Sequence, residues 1–287
     1  MNKLVEIKEA SKNGLTFCFA GVGSAFAKKN DQTSLIIAKN GVTILVDIGT
    51  TIPQAMARHG IKLTEFDYYH ITHSHADHIG GVEELLLTFR YFLRQKPNFI
   101  ITSAYQDILW EKSLKGGCEY NEAGLLRFSD LMTPCRPEWY KSQPREVFQI
   151  EVGGIHLQIF RTIHIPGQVT QWDQAFWSTG LVVDRRALFT ADTRFDPQMF
   201  EDMDMDSIET VFHDCQLFGP GTVHASYEEL KTLPKNIRKK MWLTHYGDNY
   251  DQFVPEKDGF LGFTKAWEIF TWPDRPAKKA ETAARKK

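Results

Sequence analysis

Apolar positions in the first fifty residues fall in short unbroken runs divided by small polar turns, a pattern of buried strands. Residues 15–20 form one such run, closed by Gly21-Val22-Gly23-Ser24. Runs at 34–38 and 42–47 flank Lys39-Asn40-Gly41. Asn-Gly between two β-rich runs predicts a hairpin, because both turn residues accept positive φ. A helix is expected at 52–59, then a strand at 66–72 that leads into a dense group of histidines. Beyond it the period changes. Leu85, Leu86, Phe89, Phe92 and Leu93 recur at helical spacing, which predicts a helix over 82–95. A short strand at 98–102 and an amphipathic helix at 103–115 follow. From 116 to 145 the pattern dissolves, with Gly116-Gly117, Pro134, Pro137 and Pro144 as breakers. Strands are then expected at 147–152, 155–161, 176–183, 187–190, 210–214 and 241–244, with helices at 227–231 and 236–240 before the last. Two β-rich halves, each accompanied by helices, predict an α/β (α+β) chain built as an αββα sandwich, two mixed sheets flanked by helices. One domain is expected over 1–273, and 274–287 reads as a basic, disordered tail.

Composition narrows the function classes. The 287 residues are 42% hydrophobic and 24% charged, ordinary values for a globular chain with a large core. A formal net charge of −2 gives no basic surface for gripping nucleic acid or an anionic membrane. No apolar run reaches the roughly 18 residues of a membrane span, and no signal-peptide pattern opens the chain. Cys18, Cys118, Cys135 and Cys215 are scattered, without a CxxC pair, which predicts reduced thiols in a cytoplasmic protein.

The sharpest chemical feature is His73-Ser74-His75-Ala76-Asp77-His78, directly after a predicted strand. Imidazole and carboxylate are good ligands for zinc and similar divalent ions. His73 and His75, two apart on an extended segment, can reach one ion, while Asp77 and His78 lie across the turn and can serve a second. Gly80-Gly81 lets backbone pass close by. No cysteine is adjacent in sequence, which argues against a closed structural zinc site.

This HxHxDH cluster resembles the signature of the metallo-β-lactamase superfamily. Further single residues match that pattern in order: His164 in Thr-Ile-His, Asp192 in Ala-Asp-Thr where the family usually has Gly-Asp-Thr, and His245 in Leu-Thr-His-Tyr-Gly. The resemblance implies that His73, His75 and His164 hold one ion, that Asp77, His78 and His245 hold another, and that Asp192 bridges. Asp47 matches a family aspartate that supports a ligand histidine from behind. The implied cofactor is two divalent metal ions, zinc first and manganese second. Such a pair lowers the pKa of bound water from 15.7 towards about 7 and so supports hydrolysis.

Which bond is cut is a separate question. Gly21-Val22-Gly23-Ser24 resembles the opening loop of the ribonuclease Z branch, and Asp214 followed by His224 resembles that branch's carboxylate-oriented proton donor. The catalytic set implied is thus His224 as acid, Asp214 as its orienter, and Asp77, also a ligand. Adjacent strand residues His213 and Asp214 face opposite sides, and Asp214 is the one expected to face the metals. Gly-Ser-Ala-Phe at 23–26, His-Ala-Asp-His-Ile-Gly-Gly at 75–81 and Val-His-Ala-Ser-Tyr-Glu-Glu-Leu at 223–230 resemble the anti-Pycsar phosphodiesterases of phages and bacteria. That resemblance implies hydrolysis of 3′,5′-cyclic nucleotides (cyclic CMP, UMP, AMP and GMP) to 5′-monophosphates, and so an action against cyclic-nucleotide antiphage signalling. It also implies a homodimer in which a loop of one subunit covers the other's site. The irregular stretch 115–127 is the candidate loop, with Tyr120 placed to stack on a base. A tRNA 3′-end endonuclease and a lactone or thioester hydrolase of the same fold remain alternatives. His59, His70 and His156 read as structural; Trp172, Phe176 and Trp177 follow His164 closely enough to line a pocket, but core packing is the preferred reading.

Overall fold

The computed structural model describes residues 2–122 and 124–274; most of the basic tail, 275–287, lies outside the described residues. Two large mixed sheets stack face to face. The first runs Ile269–Pro273, Gly14–Gly21, Ser34–Lys39, Val42–Val46, Tyr68–His70, Asn98–Ile100, Thr133–Cys135. Its first four strands pair antiparallel, and from Val42–Val46 onward the pairing is parallel. The second runs Gly262–Phe263, Met241–Thr244, Thr210–Asp214, Ala187–Phe189, Thr179–Val183, Ile155–Arg161, Val147–Val152, Glu138–Lys141. It too has a parallel half, from Ala187–Phe189 to Gly262–Phe263.

Side-chain alternation explains why the strands of the first sheet are apolar throughout. Leu15, Phe17, Phe19, Leu35, Ile37, Ile44 and Val46 enter the core shared with the second sheet. Their neighbours Cys18, Ala20, Ile36, Ala38 and Leu45 face the other way, with the helix residues Ile52, Met56, Val82, Leu85 and Leu86. Phe212 centres the interior, 5.1 Å from Phe19 and 5.0 Å from Phe270 between ring centroids. Helices Gln198–Glu201 and Tyr227–Leu230 bury Met199, Phe200, Tyr227 and Leu230 on the second half. The result is the expected αββα arrangement.

The structure differs from the sequence reading at several element ends. The expected helix at 82–95 is α-helical only over Val82–Thr88, then widens to a π-turn at Phe89–Leu93 and stops at left-handed Arg94. The 103–115 helix likewise passes into a π-turn at Trp110–Leu114 and resumes as Lys115–Cys118. Within the supposedly irregular 115–127, Tyr120–Asn121 pairs with Gly124–Leu125 as a small hairpin. The strand expected at 66–72 covers only Tyr68–His70, and that at 176–183 only Thr179–Val183. Several elements went unread, among them Lys3–Ala10, Thr133–Cys135, Glu138–Lys141, Gln198–Glu201, Gly262–Phe263 and Ile269–Pro273. Helix Lys3–Ala10 is capped by the Asn2 side chain, and strand Ile269–Pro273 pairs with Gly14–Gly21. At that edge Gly14 has φ 141°, and a Cβ there would sit 2.2 Å from the Trp272 carbonyl oxygen. Only glycine permits so close an approach.

Candidate metal centre

In open mixed sheets, chemistry gathers beyond the carboxyl ends of the parallel strands, and here it does so on both sheets at once. Asp47 follows Val42–Val46, and the 73–78 segment follows Tyr68–His70. Asp192 follows Ala187–Phe189, Asp214 ends Thr210–Asp214, and His245 follows Met241–Thr244. His164 comes from the end of the antiparallel strand Ile155–Arg161. His75 has extended backbone and starts the short helix Ala76–Ile79, which turns Asp77 and His78 inward.

These residues converge. Donor atoms of His73, His75, His164 and Asp192 lie within 4.8 Å of one another, as do those of Asp77, His78, Asp192 and His245. Asp192 belongs to both groups. Its Oδ2 is 3.3 Å from His78 Nε2, 3.4 Å from His245 Nε2, 3.7 Å from His73 Nε2 and 3.8 Å from His164 Nε2. His75 presents Nδ1, at 3.0 Å from His73 Nε2 and 3.1 Å from His164 Nε2.

Four of the imidazoles are fastened by their outer nitrogen, which leaves Nε2 aimed at the centre. His78 Nδ1 meets Asp47 Oδ2 at 2.7 Å, and His164 Nδ1 donates to the Val223 carbonyl at 2.9 Å. His245 Nδ1 meets Thr33 Oγ1 at 3.0 Å, and His73 Nδ1 meets Thr72 Oγ1 at 3.1 Å. Asp47 also accepts from the Thr72 amide and hydroxyl, both at 2.8 Å. Such backing contacts fix tautomer and ring orientation around metals.

Electrostatics leave the cluster short of positive charge. Burial holds His73 well below its usual pKa, pushes His164 down to about 4, and lowers His75 and His245. These rings are therefore neutral bases with a free lone pair. His78 goes the other way: burial opposes its charge, but the fields of Asp192, Asp47 and Asp77 override it. The same burial opposes the Asp192 charge, yet His245 and His78 hold its carboxyl well below the usual range. Buried His78 Nε2, His245 Nε2 and Asp192 Oδ1 have no hydrogen-bond partner. Orphaned buried nitrogens and a carboxylate oxygen on residues whose donor atoms lie within 4.8 Å of one another fit divalent cations.

Beside this centre, His224 Nδ1 donates to Asp214 Oδ2 at 2.8 Å and lies 3.9 Å from Asp192 Oδ2. Asp214 is fully buried and also accepts from the Thr193 amide at 3.2 Å. His213, its strand neighbour, is buried against Phe200. Burial disfavours the His224 cation, but the Asp214 hydrogen bond and the fields of Asp192, Asp214 and Asp77 push its pKa up to about 9. Tyr120 stands elsewhere, exposed on the hairpin that Glu122 ties to Tyr91. Of the aromatic residues after His164, for which core packing was the preferred reading, Phe176 instead stacks its ring on His75 at 5.6 Å and walls the site, whereas Trp177 is buried and stacks on Tyr105. Phe176 sits twelve positions after His164 in an aromatic cluster, the one signal that pointed to it.

Comparison with known proteins agrees with this architecture. The family model described as "Anti-Pycsar protein Apyc1" matches residues 15–270. A protein of that name from Paenibacillus harenae is 36% identical over 234 residues, covering 81% of this chain and 90% of its own. Another, from Bacillus phage vB_BsuM-Goe3, is 32% identical over 254 residues, covering 85% of this chain and 93% of its own. Among solved structures, the metallo-β-lactamase fold protein YhfI from Bacillus subtilis superposes with a TM-score of 0.63 at 13% identity, over 89% of this chain and 99% of that one.

Proposed function

The chain belongs to the anti-Pycsar protein Apyc1 family, and from that premise we propose that it hydrolyses 3′,5′-cyclic nucleotides to nucleoside 5′-monophosphates with a pair of divalent metal ions. It is a metal-dependent hydrolase of the metallo-β-lactamase fold. In this reading His73, His75 and His164 would hold one ion and Asp77, His78 and His245 the other, with Asp192, common to both donor groups, available to each. Zinc suits the donor set best, with manganese second. When bound, the ions would lower the pKa of water and offset the charge of the phosphate.

The chain's own residues do the rest. Ring opening joins a water oxygen to phosphorus and breaks the bond from phosphorus to O3′. The departing 3′-alkoxide is strongly basic and needs a proton. His224, charged and held through Nδ1 by Asp214, has Nε2 left to supply it. Asp47, Thr33, Thr72 and the Val223 carbonyl keep the imidazoles from rotating. The single observation that carries a phosphodiester substrate is this carboxylate-bound imidazolium beside the donor cluster, since a carboxylate or thiolate product has little need of an acid.

The test is direct. Purified protein is given cyclic AMP, cyclic CMP, cyclic UMP, a precursor tRNA and an acyl-homoserine lactone, with and without chelator. Chelator-sensitive release of 5′-monophosphates is expected. Turnover of the lactone or the tRNA alone, or turnover indifferent to chelator, overturns the proposal. A homodimer is part of the same reading. Exposed Tyr91, Phe92, Leu93, Tyr120 and Leu125 on the 89–93 turn and the neighbouring hairpin support it, and light scattering at the mass of one chain would contradict it.

A further inference from the structure

Two aromatic rings stand largely in solvent on loops that adjoin the segment following His245. Phe26 is 87% exposed and Phe218 is 69% exposed. They belong to different loops, 24–31 and 215–224, nearly two hundred residues apart. Both loops are fastened to one short segment, 246–249, which begins directly after His245.

The fastening is specific. On the first loop, the Ser24 amide donates to the Tyr246 carbonyl at 3.1 Å. The Asp248 carboxylate accepts from the Lys28 amide at 2.8 Å and the Lys29 amide at 2.9 Å, and Gln32 Nε2 donates to the Ala25 carbonyl at 3.3 Å. Phe26 therefore projects from a loop pinned before and after it. On the second loop, Asn249 Nδ2 donates to the Leu217 carbonyl at 3.5 Å, and within the loop Gln216 Nε2 donates to the carbonyls of Phe218 at 2.7 Å and Pro220 at 2.9 Å. The Phe218 ring lies against Gly247, where a Cβ would meet Cε1 at 3.6 Å. That loop leaves from Asp214 and returns at His224, so its ends are the acid and its orienter.

Loops that merely connect strands have no reason to hold phenylalanine in water by so many bonds. We propose that Phe26 and Phe218 are the platform on which the nucleobase of the substrate stacks while its phosphate sits at the metal centre. The proposal rests on the cyclic-nucleotide reading above and gives it a base subsite. Phenyl rings offer a π-face and no hydrogen-bond donor, so they bind purine and pyrimidine by the same means. The platform supplies affinity with little discrimination among bases.

The experiment measures Michaelis constants for Phe26→Ala, Phe218→Ala, the double variant and Tyr120→Ala. Substrates are cyclic AMP, cyclic CMP and a base-less control, the 3,5-cyclic phosphate of 1-O-methylribose. Stacking worth one base contact predicts KM raised about 10-fold in each phenylalanine variant for both nucleotides. The value of kcat should hold within about 2-fold, the base-less control should not change, and Phe26→Trp or Phe218→Tyr should restore KM. Unchanged KM in both variants overturns the platform, and so does an equal loss on the base-less control. A KM moved by Tyr120→Ala alone puts the base elsewhere and overturns it too. Absence of wild-type turnover on every cyclic nucleotide would instead remove the functional reading itself.

Discussion

Replacing His224 by alanine separates an acid from a bystander, because an acid matters in proportion to how badly the leaving group needs a proton. His224 is one-fifth exposed and donates to a fully buried carboxylate at 2.8 Å. Its rise from the usual 6.5 to about 9 corresponds to about 3 kcal/mol in favour of the imidazolium. Cations at the adjacent donor sets pull the other way, so this is an upper bound. Loss of a positioned acid costs about 10² to 10⁴ in rate. His224→Ala should therefore lower kcat on cyclic AMP by about that factor. On bis(p-nitrophenyl) phosphate, whose leaving phenolate is stable near neutral pH, the loss should stay below about 10-fold. Metal content, measured by elemental analysis, should not change. Asp214→Asn keeps the shape but removes the charge that favours the imidazolium. A group that must be protonated works below its pKa, so the rate falls as pH rises through it. In Asp214→Asn that falling limb should move to lower pH. Equal losses on both substrates, or an unmoved limb, would refute the reasoning.

Other consequences are equally concrete. Asp47→Ala strips His78 of its partner and Thr72 of two bonds, so metal affinity measured against a competing chelator should drop about 10- to 100-fold. Exhaustive chelation should abolish turnover, with activity restored by zinc or manganese and about two ions bound per chain; full recovery with one ion or fewer per chain would contradict the paired sites. Phe212→Ala empties the interior between the sheets, where Phe19 and Phe270 pack on it, and should cost about 3–5 kcal/mol in urea unfolding.

The local part of the site was legible because it is local. His73, His75, Asp77 and His78 fall within six residues after a strand, and their chemistry declares itself without the fold. His164, Asp192 and His245 are single residues whose meaning came only from resemblance, since each lies one to three residues past a strand that nothing in the chain labels as a neighbour. The backing contacts were illegible for the same reason in stronger form. His245 leans on Thr33 across 212 positions, and His164 on a backbone carbonyl, which has no sequence signature at all. Short edge strands such as Ile269–Pro273 were hidden by their closing proline and by having one partner. The missed π-turns insert one residue into otherwise helical periodicity, which hydrophobic spacing cannot resolve.

Backbone conformation bears the same imprint of the site. Asp47 has φ 61°, Ala191 φ 48° and His245 φ 56°, left-handed values that cost a residue with a side chain. Each such residue gives up about 1–3 kcal/mol. All three stand at the point where a strand stops and the chain turns into the centre. Glycine would adopt the conformation at 191 freely; with alanine there, this chain accepts strain in order to swing Asp192 into both donor groups. A fold seeking stability alone would relax these turns. That they persist at the residues beside the converging donors, while the adjoining strands are regular, is what surroundings built to hold several charges in one small volume would produce. Cations placed there would return the favour by relieving the crowding of lone pairs, so metal binding and the strained turns should stabilise each other. Removal of metal should accordingly lower the unfolding temperature more than it changes secondary structure, and a chain equally stable with and without chelator would break that link.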